Sequence, residues 1–174
     1  MPDVPQGLVL KRHRDLDGRH VDIWIQRAVF AVLVAFVVAA LLNVFGQTPS
    51  TVWARSSGAD LELYAPTSLR GGLLYEVRLR IHAHRDIKQA ILRLDGGWLE
   101  GYTLNSLEPT PLGQASSKGK LIFTLGHIPA GGTYTLYMEF QTNATNVGIH
   151  HQGIVLLDGE QRLAALSRSV TTYP

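Results

Sequence analysis

Hydrophobic residues follow two different patterns along the chain. Residues 28–42 are all apolar, and the apolar stretch extends to 23–45 with few interruptions. Beyond residue 60, apolar and polar residues alternate with a period of two, most clearly over 73–84 and 133–141. A long apolar run favours a membrane-spanning helix, whereas alternation favours β-strands with one buried and one exposed face.

The apolar stretch at 23–45 is long enough to cross a bilayer. As a helix it would measure roughly 35 Å at 1.5 Å per residue, against a hydrocarbon core of ~30 Å. A buried helix in a soluble domain rarely runs so long without polar residues. A cleaved signal peptide has a shorter apolar region and a briefer leader than the 22 residues that precede this one. We therefore predict a retained transmembrane helix.

The residues that flank this helix predict its orientation. The basic residues before or at its start are Lys11, Arg12, Arg14, Arg19 and Arg27, whereas Arg55 alone follows within twenty residues. The positive-inside rule then places the N-terminus in the cytoplasm and residues 48 onward outside, in a protein of the cytoplasmic membrane. The residues expected at the membrane interface are Trp24, Arg27, Phe45 and Trp53.

One side of the predicted helix carries small residues. Ala31, Ala35 and Ala39 recur every four residues, and Asn43 follows them. Small residues at this spacing let a second helix approach closely, and an asparagine adds an interhelical hydrogen bond of about 1 kcal/mol. The pattern predicts a helix–helix contact, and through it a helix-mediated oligomer. The alternative is that alanine is simply common in this chain.

The patterns divide the chain into four segments. Residues 1–22 form a cytoplasmic juxtamembrane segment, 23–45 the transmembrane helix, 46–59 a stalk rich in Thr, Ser, Pro and Gly, and 60–174 an extracytoplasmic domain. The last segment is long enough to bury its own core.

The extracytoplasmic domain reads as strands separated by glycine-containing turns, without a helical pattern. Besides the two clear strands, weaker ones are expected over 60–64, 87–94, 98–104, 121–125, 148–157 and 163–170. About seven or eight short strands with regular turns predict an all-β domain, an antiparallel sandwich. The stretch 105–119 reads as a long loop, either a contact site or a passive crossover.

The stretch 121–141, LIFTLGHIPAGGTYTLYMEFQ, resembles the closing half of immunoglobulin-like domains of bacterial cell surfaces. It contains a strand, a Pro-Ala-Gly-Gly turn and an alternating strand that opens with tyrosine. The resemblance implies an immunoglobulin-like sandwich in which the hydroxyl of Tyr134 bonds nearby backbone. The chain departs from true immunoglobulin domains in having no cysteine. The resemblance implies a fold class and no activity.

Composition and the absence of known motifs exclude several classes of function for this chain. The formal net charge of +2 provides no field that would hold nucleic acid, and the absence of cysteine excludes disulfides and Cys-based zinc sites. A Gly-x-Ser-x-Gly elbow, glycine-rich phosphate loops and a His-Glu-x-x-His motif are all missing from the sequence. We therefore predict no catalytic residue, no cofactor and no enzymatic activity. A surface hydrolase whose site only the fold assembles stays an alternative.

Histidines provide a second alternative. His82 and His84 lie two positions apart in a predicted strand, so both side chains point to one face. Such a pair binds copper or zinc when a third ligand joins it, and His127 or His150 would be that ligand. Arginines on the same face oppose a metal, so we predict no metal site. The favoured function is a non-enzymatic accessory, assembly or binding subunit that contacts another membrane or envelope protein.

Overall fold

The computed structural model describes residues 20–42, 44 and 46–174. Its contacts divide the chain into two compact units, residues 1–44 and 45–174. The roles predicted for Asn43 and Phe45, and the organisation predicted for residues 1–19, lie outside the described residues.

In the described part of the first unit, helix α1 extends over His20–Leu41. Residues Val21–Leu41 have a mean hydropathy of 2.2, and none of this span is buried in the protein. Length and composition allow this helix to cross a membrane. A signal sequence near an N-terminus has the same properties, so the helix is consistent with either an anchor or a signal sequence.

The second unit is built from strands. They are β1 (Pro49–Arg55), β2 (Ala59–Pro66), β3 (Ser68–Arg70), β4 (Leu74–Ala83), β5 (Ile87–Leu94), β6 (Tyr102–Glu108), β7 (Gly113–Ser117), β8 (Lys120–Ile128), β9 (Thr133–Thr142), β10 (Gly148–Asp158) and β11 (Gln161–Tyr173). A short 3₁₀ turn at Gly96–Trp98 lies between β5 and β6.

These strands form a two-layered sandwich, which confirms the predicted fold class. Sheet A has the order β1-β2-β4-β9-β6, and sheet B has the order β3-β11-β10-β5-β8-β7. Neighbouring strands are antiparallel except β3 and β11, which pair in parallel. Strand β4 lies at the centre of sheet A, between β2 and β9. Its alternating sequence places every second side chain in the core.

The core lies between the two sheets. Its largest fully buried side chains include Trp98, Phe123, Phe140 and Leu79. The buried set also contains polar residues at one end of the sandwich: Thr142, Gln152, Arg168 and Thr172. A sandwich of this size therefore encloses a polar cluster beside its hydrophobic core.

Three details differ from the sequence prediction. Residues 49–55, predicted as stalk, form β1 and pair with β2 over their whole length. The predicted loop at 105–119 contains most of β6 and all of β7. Residues 98–101, predicted as the start of a strand, instead form the end of the 3₁₀ turn and the turn after it. In the first two cases hydrogen bonding to a neighbouring strand overrides a local composition of Ser, Thr, Pro and Gly, which favours loops.

Candidate functional site

The outward side of sheet A, here called the sheet A face, concentrates aromatic and charged side chains. Its charged and aromatic members are Trp53, Arg55, Asp60, Glu62, Tyr64, Glu76, Arg78, Arg80, His82, Glu108, Tyr137 and Glu139. The strand register aligns these residues in rows across the sheet, for example Trp53, Glu62 and Arg80. Flat alignment of this kind gives a broad surface instead of a deep pocket.

Arginines organise the middle of the sheet A face. The Arg80 guanidinium lies 3.2 Å from the Glu62 carboxylate. Arg78 stacks 4.9 Å above the ring of Tyr64, and Arg55 lies 5.7 Å above the ring of Trp53. These contacts hold the guanidinium groups and rings in fixed positions while leaving them accessible to a partner.

Trp53 is the largest exposed aromatic residue on this surface. It is 50% exposed and lines a shallow cavity of about 240 Å³ together with Asp60, Glu62, Arg80 and His82. The sequence predicts Trp53 at the membrane interface just beyond the helix. The structure places it in edge strand β1, inside the folded unit and not in a stalk, and its interface role stays a prediction.

Carboxylates gather at the opposite end of the sheet A face. Glu76 and Glu139 are direct cross-strand partners, and Glu108 joins them around a cavity of about 260 Å³. Like charges that face each other across strands repel. This end of the face therefore carries negative charge, whereas at the other end Arg55 and Arg80 are accompanied by Asp60 and Glu62.

The histidines of the second unit are distributed among separate partners. The rings of His82 and His84 are 5.3 Å apart, but His84 Nε2 lies 3.1 Å from Asp60 Oδ1 and His82 Nδ1 lies 3.1 Å from Thr133 Oγ1. The hydrogen bond with His84 lowers the pKa of Asp60, while desolvation opposes this shift.

The other histidines do not complete a metal site with this pair. His127 in β8 contacts Asp86 at 2.6 Å, and His150 in β10 packs edge-on against Tyr102. Across residues 20–42, 44 and 46–174, no group of three or more His, Asp or Glu side chains is arranged to hold a metal ion. No observation favours the metal-handling alternative.

Hydroxyl–imidazole pairs, the first requirement of a hydrolase, occur at the surface. Ser169 Oγ lies 3.0 Å from His151 Nδ1. Within the part of the chain that the structure describes, no carboxylate hydrogen-bonds to the His151 ring to complete a triad. The geometry therefore gives the hydrolase alternative no specific support.

Sheet B carries the largest of the described cavities on its outward side. It has a volume of about 310 Å³, a floor that includes Gly153 and Val155, and a rim formed by Arg93, Lys120 and Arg162. The sequence pattern does not predict this cavity, because its residues come from four strands that only the sheet order brings together.

Most of the helix residues that were singled out by sequence and that the structure describes are exposed within their own unit. Ala31 and Ala35 are exposed and Ala39 is half-buried. The Arg27 guanidinium lies 5.5 Å above the ring of Trp24. A paired arginine and tryptophan one turn apart suit the headgroup region of a bilayer, so the interface role of both residues stays a prediction.

The hydrogen bond between the Tyr134 hydroxyl and nearby backbone, which the immunoglobulin-like resemblance implies, is not found among the described residues. This residue lies half-buried in β9, opposite Ile81 of β4. Its hydroxyl makes no hydrogen bond to backbone among the described residues. Burial raises the pKa of this phenol, as expected for an unpartnered hydroxyl near a core.

Comparison with known proteins leaves the family open. No protein-family model matches the chain, and no curated protein matches its sequence. Among solved structures, CaCohA2 from Clostridium acetobutylicum is 13% identical with a TM-score of 0.46, covering 68% of this chain and 92% of that one. The human F-spondin reeler domain is 10% identical with a TM-score of 0.45, covering 68% and 92%. The FixG-related protein from Vibrio parahaemolyticus is 11% identical with a TM-score of 0.39, covering 67% and 98%.

Proposed function

We propose that this protein is a single-pass membrane protein whose β-sandwich lies outside the cytoplasm and binds another envelope or membrane protein. In this role it is a non-enzymatic accessory or assembly subunit. The sheet A face carries the proposal, because it exposes a tryptophan, tyrosines and ordered arginines on one flat surface. These residue types are enriched where protein interfaces derive most of their binding energy.

The distribution of charge across the sheet A face should favour one orientation of a bound partner. Glu76, Glu108 and Glu139 gather at one end, whereas Asp60 and Glu62 accompany Arg55 and Arg80 near Trp53 at the other. A partner with a basic patch would dock in one orientation, because that patch would face the three glutamates. We therefore expect a partner surface with a basic patch and, apart from it, a pocket for Trp53.

The helix supports the membrane part of the proposal. Its apolar span has no charged residue between Ala28 and Leu41, and its side chains are not buried within their unit. Within twenty residues of it, Lys11, Arg12, Arg14 and Arg19 precede it, whereas only Arg55 follows. In the proposed topology, α1 anchors the chain in the cytoplasmic membrane and the sandwich faces outward.

Co-purification in mild detergent tests the binding role. The wild-type chain should retain a partner, and Trp53→Ala should weaken that complex by roughly 30-fold, as loss of an interface anchor of about 2 kcal/mol would. The matched control is Gln114→Ala, an exposed side chain of β7 in sheet B. A wild-type protein that is monomeric and without a partner, or equal retention by both variants, would contradict the proposal.

A further inference from the structure

A positive charge is buried in the sandwich, and no carboxylate among the described residues pairs with it. Arg168 in β11 is 7% exposed and points between the sheets. Its Nε and Nη2 donate hydrogen bonds of 3.0 and 2.9 Å to Oε1 of Gln152, the residue opposite it in β10. Its guanidinium lies 5.4 Å from the ring centroid of Trp98. None of these partners carries a negative charge.

The groups around Arg168 are also short of acceptors. Arg168 Nη1, Gln152 Nε2 and the Tyr75 hydroxyl are buried, and none has a well-aligned hydrogen-bond partner within 3.5 Å in the described part of the chain. The two nitrogens can only donate. Tyr75 lies beside Gln152 and acts electrostatically on Arg168, so these donors belong to one cluster.

Burial of a guanidinium without a counter-charge is costly, and donors without acceptors add to that cost. Burial lowers the pKa of Arg168 only to about 10, so the group stays charged at neutral pH. Tyr75 and Tyr102, the ionisable groups that act on it, are neutral at that pH because burial raises the pKa of both phenols. A negative ion in contact with the cluster would remove both the charge imbalance and the shortage of acceptors.

We propose that the polar cluster of Arg168, Gln152 and Tyr75 binds a small monovalent anion of the size of chloride or formate. The donor side chains are at least nine-tenths buried, so a ligand must lose its hydration shell and fit among packed groups. This requirement favours a compact monovalent ion over sulfate or phosphate.

Thermal unfolding of the full-length chain in detergent tests the proposal. The melting temperature is measured in sodium chloride, sodium formate and sodium gluconate at one ionic strength, so that general screening is constant. Chloride or formate should raise the melting temperature of the wild type by about 3–8 °C with saturation, as for a ligand that binds only the folded state. An equal melting temperature in all three salts would overturn the proposal.

Two variants assign the effect to the cluster. Gln152→Glu, nearly identical in shape, supplies a carboxylate to Arg168, so it should lose the chloride-dependent rise and already be more stable in gluconate. Arg168→Met should lose the rise by removing the charge. The control Arg162→Met removes an exposed arginine of the same strand and should keep the rise. A full rise in Gln152→Glu would overturn the proposal even if Arg168→Met failed to fold.

Discussion

Gly97 is the residue at which the backbone of the 3₁₀ turn comes closest to sheet B. A Cβ atom at this position would lie 1.8 Å from the carbonyl oxygen of His151, a backbone atom that cannot rotate away. The close approach also brings Trp98 beneath β10, where its Nε1 donates a 3.1 Å hydrogen bond to the Gly153 carbonyl. Glycine is therefore required here for space.

Gly97→Ala should lower the free energy of unfolding by more than about 2 kcal/mol, because the turn must separate from β10 to admit the methyl group. Urea unfolding with linear extrapolation measures the change. Gly113→Ala is the matched control, since its Cβ would meet Thr124 Oγ1 at an ordinary 3.5 Å and should alter stability by less than about 0.5 kcal/mol. Similar losses in both variants would refute the steric explanation.

The hydrogen bond between Asp60 and His84 should make the stability of the protein depend on pH in the acidic range. Its hydrogen bond with His84 lowers its pKa below the usual 3.8, so the unfolded state binds a proton more readily than the folded state. The stabilisation is therefore present above pH ~4 and is lost as the pH falls through the lowered value. Asp60→Asn should be less stable than wild type at pH 6, and the difference should narrow below pH 4.

Urea midpoints measured from pH 2.5 to 7 check this expectation. The same substitution made in a His84→Ala background provides the control, because it should show a smaller pH-dependent difference, with only Arg55 and His82 left to lower the pKa of Asp60. A gap between Asp60→Asn and wild type that stays constant across the pH range would contradict the proposed role of the His84 hydrogen bond.

At the scale of single elements, the helix offers a direct test of the predicted small-residue contact. Ala35→Leu places a larger side chain at the centre of the row formed by Ala31, Ala35 and Ala39. If that row packs against another helix, the variant should form several-fold less cross-linked complex in membranes. Val34→Leu, on a different side of the helix, should cross-link like wild type. Unchanged cross-linking of Ala35→Leu would remove the helix–helix contact from the proposal.

The strands that the sequence predicted well are those in which apolar and polar residues alternate strongly. Strands over 74–83, 87–94 and 133–142 match their predicted positions closely, because each has a buried face that fixes its pattern. The edge strands β1 and β7 were missed. Edge strands bury little, so exposed Thr and Ser residues in them carry almost no periodic signal.

The candidate site was predictable only in part. The sequence pattern correctly placed the side chains of His82 and His84 on one face of the sheet, because side chains two positions apart along a strand point to the same side. It did not group Trp53 with Arg80, since their proximity depends on β1 pairing with β2 and β2 with β4. Arg168 did carry a readable signal: it occupies the same phase as Leu166 and Val170, which marks it as inward-facing.

For the whole molecule, the predicted topology can be tested because the chain has no cysteine of its own. Ser116→Cys, on exposed strand β7, should react with a membrane-impermeant maleimide in intact cells. Lys11→Cys, in the predicted cytoplasmic segment, should react only after lysis. Protection of Ser116→Cys in intact cells would reverse the orientation and place the sandwich inside.

The buried pair of Arg168 and Gln152 also bears on how the last hairpin finds its alignment. Sliding β11 by two residues along β10 keeps the same side chains facing the interior. Burial of apolar groups therefore hardly distinguishes a slipped alignment from the native one. Such a slip would set Arg168 opposite Ile154 in one direction or His150 in the other, instead of Gln152. The slipped hairpin would then leave a guanidinium without its amide acceptor, so one polar contact in an apolar setting selects the native alignment.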